Sequence, residues 1–96
     1  MNRVERIRDL LTRAFEPLEL SVIDDSHLHA GHAGARGGAG HYRVEIVSAA
    51  FSGLAAIQRH RAVYAAVQDM MPREIHALSV SAKSPEEVAA TPPPPG

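Results

Sequence analysis

Six histidines and no cysteine set the chemical character of this 96-residue chain. Neutral imidazole ligates zinc, copper, nickel or iron, and it is the side chain that titrates near neutrality. His27, His29 and His32 fall within six residues, and His41 follows nine positions later. A His-x-His-x-x-His run can wrap a metal ion. Its setting disfavours a preorganised site, because Gly31, Gly34, Gly37 and Gly40 punctuate the same stretch and ordering such a loop costs entropy. On spacing alone, residues 26–40 read as a solvated loop, of a length that is usually functional or disordered.

The other two histidines sit in more regular surroundings. His76 opens an alternation with Leu78 and Val80, which predicts a histidine on the core face of a strand, held by a backbone carbonyl. The functional alternative is a rigid ligand at a sheet end, facing a loop that supplies a second. His60 lies inside Arg59-His60-Arg61. That triplet could hold phosphate, or form a helix face whose arginines pair with Glu45 or Asp69.

Enzyme templates fit poorly. The chain has no Gly-x-Ser-x-Gly elbow, P-loop or dinucleotide-binding glycine fingerprint. Asp24 and Asp25 could orient a histidine, yet nothing supplies a nucleophile. The expectation is a protein without enzymatic activity.

Composition narrows the classes further. Hydrophobic residues make up 45% and charged residues 22%, the balance of a folded soluble domain. No run approaches the roughly 18 apolar residues of a membrane span, and no secretory leader is apparent. Ten basic and eleven acidic residues leave a formal charge of −1. Residues 1–48 hold six basic and seven acidic groups, and residues 49–96 four and four. Neither half has the basic excess of a strong nucleic-acid binder.

The elements that must position these residues follow from periodicity. Val4, Ile7, Leu11, Ala14 and Phe15 predict a helix over about 3–15, capped by Asn2 with Glu5 and stopped by Pro17. Leu18, Leu20 and Val22 predict a strand over 18–24, and Tyr42, Val44 and Ile46 a second over 42–48. These two should pair antiparallel. Leu54, Ile57, Tyr64, Val67 and Met71 predict a helix over 54–71 that Pro72 ends, with Gly53 breaking off a short preceding turn. A third strand over 75–82 should run parallel to the second, because a helix crosses between them. Ser84-Pro85-Glu86-Glu87 starts a short last helix. The domain should span 1–90, and 91–96 should form a disordered proline-rich tail. The expected class is α+β, a three-stranded mixed sheet with helices on one face.

Four segments together resemble one known family. They are His41-Tyr42-Arg43-Val44-Glu45-Ile46-Val47-Ser48, Phe51-Ser52-Gly53, Arg59-His60-Arg61-Ala62-Val63-Tyr64 and Ile75-His76-Ala77-Leu78. They match the histidine-aromatic strand, the "F-x-G" turn, the "R-H-R" helix and the "H-A-L" strand of the BolA family, bacterial type included. The likeness runs from about residue 3 to residue 88. It implies an α-β-β-α-α-β-α fold related to the class II KH domain. It further implies an adaptor that pairs with a monothiol glutaredoxin and shares a [2Fe-2S] cluster through histidine ligands, together with the partner's glutathione. The "H-A-L" position carries the cluster ligand to His76. The second ligand, in the loop after Asp24-Asp25-Ser26, falls best on His29, with His32 a substitute and His27 a weaker one. Such a chain would be a cytoplasmic monomer alone, binding no cluster by itself, and a heterodimer with its partner, without membrane contact.

The resemblance also implies an alternative, a DNA-binding transcriptional regulator of stress and morphology using Arg59, Arg61, Arg73 and Lys83. Gly31-His32-Ala33-Gly34 spells the KH backbone-gripping motif but precedes a strand rather than a helix. A third reading is a zinc or nickel buffer built on the histidine loop alone. Histidine pairs can replace two thiolates on one iron of a [2Fe-2S] centre. A chain without cysteine fits that half-share. Imidazole must be neutral to bind, so sharing should weaken as pH falls through about 6.5, the ordinary imidazole value.

Overall fold

A computed structural model describes residues 2–26 and 40–90 of the chain. Helix α1 spans Arg3–Phe15, strand β1 Glu19–Asp24 and strand β2 Gly40–Val47. A single 3-10 turn, Ala49–Phe51, leads to helix α2, Ala56–Ala66. A second 3-10 turn, Gln68–Met70, leads to strand β3, Ile75–Lys83, and helix α3, Pro85–Ala90, closes the described part. The strand order is β1-β2-β3, with β1 and β2 antiparallel and β2 and β3 parallel. The expected mixed sheet and element order are both present. Of the two consecutive helices the resemblance implied, the first is the 3-10 turn.

Local chemistry explains the ends. At α1 the Asn2 side chain accepts from the Glu5 N–H at 2.8 Å, and the Glu5 carboxylate accepts from Asn2 N–H at 3.4 Å. Two otherwise orphaned donors are thereby satisfied. Glu16 takes a left-handed conformation, φ 45°, which ends the helix before Pro17. Gly53, at φ 79°, makes the turn between the 3-10 segment and α2.

One face of the sheet carries the core. Tyr42, Val44 and Ile46 of β2 are buried, together with Ile7 and Leu11 of α1, Phe51, Val63, Val67, Met70, Ile75 and Leu78. Arg43 and Glu45 point to the other face and are exposed. Ser48 is buried at the sheet end, where its hydroxyl donates to the Phe15 carbonyl at 2.6 Å and accepts from Ala50 N–H at 3.1 Å. This serine therefore joins the end of α1 to the turn that follows β2.

Several sequence expectations are corrected. The helix expected over 54–71 stops at Ala66, because Val67 leaves helical geometry at φ −112°, ψ 13° and starts the 3-10 turn. That change of phase brings Met70 inward beside Val63 and Val67. Ile57, expected on the apolar stripe, is 58% exposed, because the first turn of α2 overhangs a groove along β3 rather than the core. Ala14 is exposed on the far side of α1. Leu18 lies before β1 and is 70% exposed.

Candidate functional site

The ends of the two parallel strands differ in how they are built. At the start of the β2–β3 seam, Gly40 pairs with Ile75, but His41 pairs with Ala77. His76 is the residue left over, a β-bulge. The bulge overturns the expectation that His76 shares a face with Leu78 and Val80. Ile75 and Leu78, three apart, are both buried, and His76 between them is exposed. Strict alternation would have placed the imidazole inward, and the extra residue shifts the phase.

The bulge sets His76 beside His41. Their ring centroids are 5.1 Å apart with planes inclined at 52°. His41 is half-buried, with Nε2 enclosed. Its backbone is fixed from both directions: its N–H donates to Ser26 Oγ at 3.1 Å, and its carbonyl accepts from Asp25 N–H at 2.8 Å. Gly40 is required here, since a Cβ would come within 2.6 Å of the Tyr42 ring and 2.7 Å of Ser26 Oγ. The other strand is fixed by Glu74, whose carbonyl accepts from Gly40 N–H at 3.0 Å and whose carboxylate is paired with Arg6 and approached by Arg3 of α1. Both imidazoles are thus carried on anchored strand backbone rather than on loop.

At the opposite end of β3 the polar groups are turned into structure. The Arg59 guanidinium is 12% exposed. It donates to the Leu54 carbonyl at 2.9 Å and the Ala82 carbonyl at 3.1 Å, and it pairs with Glu87. The expected partners Glu45 and Asp69 are not used. Pairing with Glu87 fits because α3 begins where β3 ends and delivers its first turn to Arg59. Ser84 caps α3, its N–H donating to Glu87 Oε1 at 3.0 Å and its hydroxyl at 2.8 Å. The Ser84 backbone N–H, then its hydroxyl, then Arg59 hold the Glu87 carboxyl down to about 2. His60 packs on Tyr64 at 4.3 Å between ring centroids, and the Tyr64 hydroxyl donates to the Leu78 carbonyl at 2.8 Å.

The remaining sequence candidates fall out as follows. His27, His29 and His32 lie outside the described residues. Arg61, Arg73 and Lys83 are exposed. Arg59, His60 and Lys83 line the groove between α2 and β3, whereas Arg61 and Arg73 do not. Among the described residues, no three histidine, cysteine, aspartate or glutamate side chains form a metal-holding group, and no helix is long and apolar enough to cross a membrane.

With this geometry in place, comparison with known proteins decides the family. Residues 11–87 match the family described as BolA-like protein. The chain belongs to the BolA-like family. It is 46% identical over 92 residues to SufE-like protein 1, chloroplastic/mitochondrial, of Arabidopsis thaliana, covering 91% of this chain and 25% of that protein. It is 42% identical over 89 residues to Protein BOLA1, chloroplastic, of the same plant, covering 90% of this chain and 56% of that protein. The chain therefore spans a quarter of one of these BolA-containing relatives and little over half of the other. The solved BolA domain of SufE1 from Arabidopsis thaliana superposes with a TM-score of 0.81 at 42% identity, over 91% of this chain and 96% of that domain.

His41 is the residue of this candidate site that sequence reasoning did not single out as a ligand, reading it as the end of the loop and the start of the family's histidine-aromatic strand. The signal was present. Tyr42, Val44 and Ile46 face inward, so His41 faces the other way. Parallel strands lie start beside start, so two histidines that open parallel strands become neighbours.

Proposed function

We propose that this BolA-like chain is a non-enzymatic adaptor that pairs with a monothiol glutaredoxin and lends histidine to a [2Fe-2S] cluster held jointly with that partner and glutathione, in iron–sulfur trafficking or iron regulation. The observation that carries this is His76, exposed on a bulge of an anchored strand. A ligand for a shared centre must reach outward while its backbone stays fixed. The donor set fits a half-share and not a whole site: the chain has no cysteine, and the described residues offer no third ligand beside the imidazoles. When bound, the cluster supplies iron–sulfur electron-transfer and transfer chemistry. His76 supplies one imidazole toward it, and the loop supplies the second through His29 or His32, as the family resemblance implies. One similarity supports the cellular theme: a plant relative carrying this domain is named SufE-like. We place the chain in the cytoplasm on the same footing as the partner.

The test mixes the chain with a cluster-loaded monothiol glutaredoxin and records visible absorption and circular dichroism, beside His76→Ala. A spectral change that vanishes in the variant is expected. An unchanged spectrum with both proteins folded removes the shared-cluster reading for that partner.

The DNA-binding reading draws on the groove beside β3, where Lys83 is exposed and Arg59 contributes. Arg59 is already committed to two carbonyls and Glu87, which leaves Arg61, Arg73 and Lys83. Few phosphate contacts and near-neutral charge predict weak binding that fades steeply with salt. Duplex binding measured at several salt concentrations, with Arg61→Ala/Lys83→Ala beside the wild type, tests it.

A further inference from the structure

We propose that His41 and His76 together form a seat for one divalent transition-metal ion, of the zinc, cobalt, nickel or copper type, in the chain without any partner. Such an ion sits about 2 Å from one nitrogen of each ring, so two imidazoles at a tetrahedral angle have centroids about 5 Å apart. The observed 5.1 Å separation is that spacing. The rings are inclined at 52° rather than stacked flat. Borderline cations favour imidazole over the hard oxygen ligands that magnesium or calcium would need.

The seat is preorganised by backbone. Ser26 and Asp25 clamp His41, and Arg6 holds Glu74, two residues before His76. Little ordering is left to be done on binding, unlike at a glycine-rich loop. Among the described residues no third acidic, cysteine or histidine side chain completes a set of three. Within the described residues, the remaining positions on the ion are left to water or to a donor from another molecule. An open coordination position is the feature that separates an acceptor site from a closed structural one.

Zinc titrated calorimetrically into the full chain is expected to bind one ion per chain. Either His41→Gln or His76→Gln should weaken it at least tenfold, and the triple variant His27→Gln/His29→Gln/His32→Gln should leave it within twofold. Affinity kept within twofold in either single variant, or lost in the triple variant, overturns the proposal. His41 is half-buried, so a second measurement uses the unaltered chain. Paramagnetic cobalt should broaden the ring-proton NMR signals of His41 and His76 before those of any other histidine. Earlier broadening at His60 or at the loop histidines overturns the assignment. No glutaredoxin or cluster enters either experiment, so its failure is distinguishable from failure of the adaptor reading.

Discussion

The two ends of strand β3 carry similar kinds of residue and use them in opposite ways. At its start, Ile75 is buried and His76 beside it is exposed next to His41. At its finish, Arg59 and Glu87 spend their charges on the Leu54 and Ala82 carbonyls, on Ser84 and on each other. One end holds its polar side chains outward on a fixed frame. The other ties them to carbonyls, to a helix cap and to each other to make the frame. A residue's chemistry therefore does not reveal its job, and what its neighbours have already bonded does.

Substitutions can break this comparison, and the largest effect should come from next door to the exposed histidine. Ile75→Ala empties a fully buried position and should cost about 2–5 kcal/mol in denaturant unfolding. An effect under 1 kcal/mol would mean that the bulge region is loosely packed. Next comes Arg59→Ala, which strands the carbonyls it serves and should cost about 1–3 kcal/mol. If Arg59→Ala left stability unchanged but abolished DNA binding, the reading of that end as structural would be wrong.

A pH series sharpens the same contrast. The folded-state Glu87 carboxyl lies near 2, below its unfolded value of about 4.3. The fold thus favours its ionised form. That contribution is fully present above about pH 5 and is lost as pH falls toward 2. Glu87→Gln should flatten the fall in stability across this window, as measured by thermal melts at stepped pH. The smallest stability effect belongs to His76→Gln, expected within about 0.5 kcal/mol of the unaltered chain because the side chain is exposed. The spectral change with glutaredoxin should disappear in the same variant. A strongly destabilised His76→Gln would place that residue among the structural ones.

Most of the fold was legible because it depends on local, repetitive signals. Ile7 and Leu11 at helical spacing, Asn2 with Glu5, Ser84 with Glu87, and the Tyr42-Val44-Ile46 alternation each name an element and its inward face. Two features were not legible. The stop at Val67 depends on how the chain turns toward β3, which brings Met70 rather than Met71 fully inward. The phase change at His76 is a matter of register between two strands, and neither strand's own pattern contains it. For the same reason the site was only half read. His76 was found through a short motif, while His41 required knowing that the two strand starts lie side by side. The Arg59 partnership joins residues 28 positions apart and has no local sequence signature.

The extra residue in β3 has one more consequence. Because His76 has no opposite number on β2, its side chain contributes neither to the ladder's pairing nor to the core. The position is decoupled from foldability: its side chain can be exchanged while the sheet around it keeps the same alignment. Selection on what this chain binds and selection on whether it folds can thus act on neighbouring residues almost independently.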